Sequence, residues 1–281
     1  MPIKSQVESP RESQRIPFVG VQTARGTSAS KDQRYVNVYV DKITNPITQQ
    51  EKAYVVKRPG LAADTYPPGA AATGRGIYYW AGTDKNYTVF ADKIWSNTTD
   101  LGVTLSGTTG RCWFAETPQT FGQGQRLMVS DGTKLYSINT SDTVTTISTS
   151  SDAQFPTSNL GPVLYFDSYI VLGKANGELW NSDVDTAEAW TSTSFLASEM
   201  FGDDQEAILR QKDQILSLGK NAVEFYFNNQ GPVGSPFQRI DQNAIQIGLA
   251  SKNGLAQMGE VILFPAKNKQ EEYSVWLIDG L

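Results

Sequence analysis

Histidine is absent from the 281 residues, and cysteine occurs once, at Cys112. Ser-His-Asp and Cys-His constellations are therefore excluded, zinc loses its commonest ligand, and no intrachain disulfide can form. A lone cysteine of this kind is expected as a small buried apolar residue rather than a nucleophile. Charged residues amount to 19% and the net charge is −5, without the basic patch that marks a nucleic-acid binder. An acidic protein facing DNA lets it slide instead of holding it. No run approaches the roughly 18 apolar residues of a membrane span. The stretch Met1 to Arg15 has no apolar h-region, so it does not read as a signal peptide. The sequons at Asn86, Asn97 and Asn139 are then chance occurrences in a Thr-rich chain. No phosphate loop, Walker motif, dinucleotide fingerprint or EF-hand spacing is present, so no cofactor and no metal are expected.

What the chain does have is material for a core and many turns. Hydrophobic residues make up 39% and aromatics 11%, with Gly 24 and Pro 13 spread along the sequence. From residue 74 onward one theme recurs: an alternating strand, a tight turn, then a strand bearing an aliphatic-aromatic pair. The strand–turn–strand units are Tyr87 to Ala91 with Ile94-Trp95, Leu127 to Val129 with Leu135-Tyr136, Ile170 to Leu172 with Leu179-Trp180, Ile215 to Leu218 with Phe225-Tyr226, and Val261 to Phe264 with Val275-Trp276. The aromatics lie 41, 44, 46 and 50 residues apart. A hairpin repeating at this interval is the signature of an all-β fold, a β-propeller. One blade cannot bury both faces alone, so neighbours cover it and the aromatic fills the gap between them. Asp131-Gly132 and Asn176-Gly177 are expected to form type I′ turns. The alternative is an irregular β-sandwich with accidental spacing.

Residues 1–30, with scattered charge and small residues, read as an extended arm that is disordered or docks on a neighbouring subunit. Residues 31–281 read as the propeller domain. Within it, Val36 to Val40 and Ala53 to Lys57 are strands separated by a turn at Asn45-Pro46, and these N-terminal strands can help close the propeller. Residues 137–159 are dense in Ser and Thr, with Val144 and Ile147 as nearly lone apolar anchors, and predict an exposed hairpin or edge strand followed by a long loop. Residues 199–216 admit a helix capped by Asp203, but the repeat favours strands there. Ala244 to Gly248 alternates as a strand does. The chain ends at Asp279-Gly280-Leu281, where an Asp-Gly turn would hand over to a further strand. Either the N-terminal strands complete the last blade or a longer protein has been cut; the second is favoured.

Two segments carry a family resemblance. The first is Asp32-Gln33-Arg34-Tyr35-Val36-Asn37-Val38-Tyr39 with Pro59-Gly60-Leu61 some twenty residues later. The second is Glu224-Phe225-Tyr226, Gly231, Pro236-Phe237-Gln238-Arg239-Ile240 and Ile245-Gln246-Ile247-Gly248. In this order they resemble the packaged-DNA stabilisation, or tail-hub (nozzle), proteins of short-tailed bacteriophages. The resemblance implies a structural virion protein in the phage tail, assembled in the host cytoplasm as a homo-oligomeric ring, commonly a hexamer. It implies contact with the portal-adaptor ring above, attachment of tail fibres or spikes and of the distal needle or plug, and packaged DNA passing through the lumen without sequence-specific binding. Gln33, Arg34, Val36, Asn37, Tyr39, Pro59, Gly60, Leu61, Glu224, Pro236, Phe237, Arg239, Ile240, Ile245, Ile247 and Gly248 are then motif residues of structural rather than catalytic role. Arg239, set between apolar residues, is expected to be paired.

Propellers also host glycosidases, so a carbohydrate-binding or glycoside-cleaving propeller, such as a phage receptor-binding protein, is the alternative. Ser130-Asp131-Gly132-Thr133 is faintly similar to the Asp-box turn of sialidases, but the spacing to the next aromatic is wrong and that motif is structural. Asp100, Glu116, Asp167, Glu199, Asp203 and Asp204 are candidate acid–base carboxylates only if two of them converge. No catalytic residue is assigned and no enzyme is expected.

Overall fold

The computed structural model describes residues 38–44, 51–57, 73–157, 160–197, 204–231, 234–268, 270 and 272–279. The 1–30 arm and Gln33, Arg34, Val36, Asn37, Pro59, Gly60 and Leu61 lie outside these residues, as do Glu199 and Asp203. The chain divides into two units, Met1–Asp64 and Thr65–Leu281. In the first, β1 (Val38–Thr44) and β2 (Glu51–Lys57) form an antiparallel hairpin in register from Val38↔Lys57 to Thr44↔Glu51, with Tyr39 on β1 opposite Val56.

The second unit is built of five antiparallel sheets, and no helix occurs among the described residues. Blade 1 is β3 (Gly74–Trp80), β4 (Lys85–Phe90), β5 (Lys93–Ser96) and β6 (Thr99–Thr104). Blade 2 is β7 (Trp113–Glu116), β8 (Arg126–Ser130), β9 (Leu135–Asn139) and β10 (Val144–Ile147). Blade 3 is β11 (Leu160–Phe166), β12 (Tyr169–Lys174), β13 (Glu178–Ser182) and β14 (Trp190–Ala197). Blade 4 is β15 (Gln205–Gln211), β16 (Gln214–Gly219), β17 (Val223–Asn228) and β18 (Phe237–Arg239). In these four, consecutive strands are hydrogen-bonded neighbours, the up-and-down order of propeller blades. Residues 199–216 therefore supply strands, not a helix.

Blade 5 departs from this order. Its strands are β19 (Gly248–Leu249), β20 (Ala256–Met258), β21 (Val261–Lys267) and β22 (Tyr273–Ile278). Both β19 and β20 lie along one edge of β21, and β22 takes the other, so the sheet is three strands wide. Among the described residues β22 pairs only with β21. Tyr273, Val275 and Leu277 are exposed on it, as are Leu263 on β21 and Met258 on β20.

Period-two alternation explains how the blades stack. On β8, Leu127 and Val129 join Trp80, Tyr87, Val89 and Ile94 of blade 1, whereas Met128 between them joins Ile170 and Leu172 of blade 3. On β12, Val171 points the other way, to Ile208 and Ile215 of blade 4. On β16, Leu216 and Leu218 pack with Ile262, Phe264 and Ala266 of blade 5, whereas Ile215 turns back to blade 3. Blades 2, 3 and 4 thus bury both faces, which is why their central strands read as short continuous apolar runs. Each fully buried Val, Leu or Ile contributes about 1.5–3 kcal/mol.

Three local expectations are corrected. Type I′ geometry needs positive φ at both central residues. Gly132 (φ 96°) and Gly177 (φ 85°) have it; Asp131 and Asn176 do not. The turn with that geometry is Asp167-Ser168 (φ 46° and 69°), between the paired Phe166 and Tyr169. The Ala244 to Gly248 piece is not a strand: it makes one bridge, Val223↔Ile245, and then Ile247 N–H bonds the Ile245 carbonyl at 2.9 Å, kinking the chain. The aromatics also do not all fill gaps. Tyr136 and Tyr226 do, but Trp95 faces the side of blade 1 opposite blade 2 and Trp276 is 40% exposed on the outer strand of blade 5. The Ser/Thr-rich stretch does give an edge strand, β10, but its loop is tied down by Phe155, buried edge-to-face on Trp190.

Candidate functional site

The first strand of each blade, with β20 standing for it in blade 5, lines a cavity of about 580 Å³. Its walls come from Gly76 to Tyr78, Cys112 to Ala115, Pro162 to Tyr165, Ile208 and Leu209, and Leu255. The polar lining is Arg75, Arg111, Arg210 and Gln257, with Tyr78 and Tyr165; no Asp or Glu is among it. Arg111 lies 4.0 Å from the Trp113 ring centroid and donates to the Lys252 carbonyl at 3.0 Å, reaching from blade 2 to the β19–β20 connection. Gln257 donates to the Arg210 carbonyl at 2.7 Å. Burial pushes the Cys112 thiol up to about 11, so it is no nucleophile near neutral pH. Burial, with Glu116 alongside, pushes the Tyr78 hydroxyl up to about 12.

Buried polar groups bolt neighbouring blades together. Arg75, on the innermost strand of blade 1, is 4% exposed and donates to four carbonyls: Gly110 (2.9 Å), Ala91 (3.0 Å), Gly107 (2.6 Å) and Asp131 (3.1 Å). The Asp131 carboxylate accepts from the Thr133, Lys134 and Ser106 amides and the Tyr136 hydroxyl, each at 2.8 Å. Burial alone would raise its pKa; those donors outweigh it and hold the carboxyl below the usual range. Asp142, in the β9–β10 turn of blade 2, accepts from Lys85 and Tyr87 at 2.6 Å and Ser96 at 3.1 Å, all on blade 1. Burial opposes its ionisation, and these three donors again pull the pKa down.

The second motif divides between the two faces of blade 4. Tyr226 donates to the buried Glu224 at 2.5 Å, and Arg239, opposite Tyr226 across β17 and β18, stands 4.0 Å from the same carboxylate. Arg239 also bonds Asp241 at 2.7 Å, and that bond chiefly raises its pKa. Phe237 is buried edge-to-face against Phe166 and Tyr169 of blade 3, with Pro236 buried beside it. Ile240, Ile245 and Ile247 pack on the blade 4–blade 5 core, and Gly248 starts β19. Arg239→Met is expected to cost about 1–2 kcal/mol, because Glu224 is 2% exposed and loses a counter-charge. Urea unfolding checks this; an unchanged midpoint would remove Arg239 from the structural cluster.

The four described candidate carboxylates each have a partner of their own. Asp100 caps the Gly102 amide, Glu116 bonds Tyr78, Asp167 accepts from Asn228, and Asp204 pairs with Lys220. The interblade carboxylates Asp131 and Asp142 were not singled out as bolts from sequence. For Asp131 the available signal was an Asp in a turn with a Tyr on the following strand; Asp142 takes its Tyr87 from another blade and offers no such signal.

A family profile described as Bacteriophage P22 Gp10, beta-propeller matches residues 15–281. The chain belongs to this family. Both segments of the resemblance fall within the matched range. No curated protein matches the chain in sequence. Among solved structures it is similar to a streptogramin B lyase (9% identity, TM-score 0.47, covering 83% of this chain and 74% of that one). It is also similar to BBS1N in its complex with ARL6DN (15% identity, TM-score 0.47, 74% and 69%) and to the computationally designed Ika8 protein (12% identity, TM-score 0.43, 88% and 70%). The family is a bacteriophage structural one, and the all-β, multi-sheet body described above is its fold.

Proposed function

We propose that this family member is a tail-hub, or nozzle, subunit. In this reading it forms a ring below the portal-adaptor, closes the DNA exit, retains the packaged genome, and anchors fibres or spikes and the distal plug. The observation that carries the reading is the family match across residues 15–281. The body suits the task. Blades bolted by Arg75, Asp131 and Asp142 resist shear, and loops on two faces are free to hold different partners. The net charge of −5 keeps DNA moving past the protein during ejection. The axial cavity, where a propeller glycosidase would place its acid and base, is lined by arginines rather than carboxylates. Particles assembled without this chain should fill with DNA and then lose it. Particles that keep their DNA but fail to adsorb to cells would instead favour the receptor-binding alternative.

A further inference from the structure

The axial cavity reverses the charge of the protein around it. The chain carries −5, yet three arginines and no carboxylate line the cavity. None of the three makes an ion pair with a described carboxylate. Arg75 spends four of its five N–H donors on backbone carbonyls and makes no ion pair with a described carboxylate. Arg111 is held by stacking on Trp113 and by its bond to Lys252, and burial alone lowers its pKa. Arg210 lies over the Phe166 ring, 5.4 Å from its centroid, and is held through Nε, which donates to the Lys212 carbonyl at 3.0 Å. Each of these two guanidiniums is thus fixed by one side and has further N–H groups to offer, arranged as the planar fork that suits a carboxylate. Apart from Gln257, Tyr78 and Tyr165 the rest of the wall is apolar, and the volume of about 580 Å³ holds a few side chains.

We propose that the axial cavity is a docking pocket for an acidic segment of a protein partner, with Glu or Asp carboxylates on Arg111 and Arg210 and neighbouring apolar side chains on the cavity wall. Nucleic acid fits less well. A duplex is far wider than the cavity, and non-specific binding needs a row of cations to displace several counterions. Faces that would stack on single-stranded bases are already used by the protein: Trp113 is under Arg111, Tyr78 is stacked on Phe114 at 5.8 Å, and Tyr165 packs edge-to-face with Phe121. This inference does not depend on the tail-hub reading.

The test is calorimetric titration of the full chain with a capped tetrapeptide of alternating glutamate and leucine, read also by tryptophan fluorescence. The controls are the lysine–leucine counterpart, inorganic phosphate and duplex DNA. The acidic peptide should bind saturably at one site, weaken with added salt, and lose about tenfold in affinity in Arg210→Gln. Arg111→Gln should show the same loss. Because Arg111 also holds Lys252, Arg210→Gln carries the test if the Arg111 variant folds poorly. Absence of saturable binding, an affinity unchanged in Arg210→Gln, or equal binding of phosphate or duplex at the same arginines would overturn the proposal.

Discussion

Asp131→Asn should lower stability by about 2–4 kcal/mol, although it changes one atom of a side chain outside the hydrophobic clusters. The carboxylate takes four donors at 2.8 Å, two on each oxygen. The amide replaces one accepting oxygen with a donor. On the Oδ2 side it would face the Ser106 amide and the Tyr136 hydroxyl; on the Oδ1 side, the Thr133 and Lys134 amides. Either way two donors, part-buried except for the buried Tyr136 hydroxyl, lose their acceptor, and the bolt between blades 1 and 2 loosens. The pH dependence follows from the sign of the shift. Burial opposes ionisation, the four donors more than offset it, and the folded pKa lies below the unfolded value of about 3.9. The contribution is therefore complete above about pH 4 and is lost as pH falls through the folded value. Asp142 adds to this in the same direction. Urea midpoints of the parent and the Asn variant should differ widely at neutral pH and converge below pH 4. A constant gap across that range would show that the carboxylate's charge is not what holds the bolt.

Gly248→Ala should be at least as damaging, about 3 kcal/mol or more, for a steric reason. A Cβ at this position would land on the Lys220 carbonyl oxygen, with the Lys220 carbon and Asn221 nitrogen also in the way. These are backbone atoms of the β16–β17 turn and cannot swing aside as a flexible side chain would. The turn is fixed by the Gly219 amide on the Ala222 carbonyl at 2.8 Å, and β19 by its pairing with Lys267 and Ala266. The variant must separate blade 5 from blade 4 or distort one of them. Tyr226, at the far side of blade 4, should be unaffected, so loss of structure should begin in blade 5. Hydrogen exchange that speeds up in β19–β22 before other blades would bear this out; uniform exchange would contradict it.

The parts of the fold legible in the sequence were the strands whose environment forces a pattern. In the first four repeats the predicted hairpin is the second and third strand of a blade, β4–β5, β8–β9, β12–β13 and β16–β17; in blade 5 it is the last two strands, β21–β22. Apart from β22, which pairs only with β21 and is largely exposed, these strands have neighbours on both edges, so their residues are constrained to be apolar and branched. Of the first and fourth strands, only β15, within 199–216, and the edge strand β10 were legible; the others were not. β6 alternates exposed and half-buried residues, and β14 reads Trp190 to Ala197 with Thr and Ser at its centre. An edge strand that faces solvent leaves little hydrophobic signal. The end-to-end arrangement of β19 and β20 was illegible for another reason: Ile247 bends the chain through a local hydrogen bond that alternation does not encode. The axial cavity was equally hidden. Arg75, Arg111 and Arg210 lie far apart in sequence and share one cavity only because the fold brings the first strands of blades 1, 2 and 4 around it. The motif around Arg239 was visible because Pro236, Phe237 and Arg239 lie close enough in sequence to be read together.

The central claim, a tail-hub role, is most directly tested by locating this chain in the assembled particle. A density map of the virion should place its five-sheet body in a ring of copies beneath the portal-adaptor, surrounding the DNA exit, with fibres or spikes attached around it. A map that places the body at the tip of a fibre, or a particle that lacks the chain altogether, would contradict the assignment.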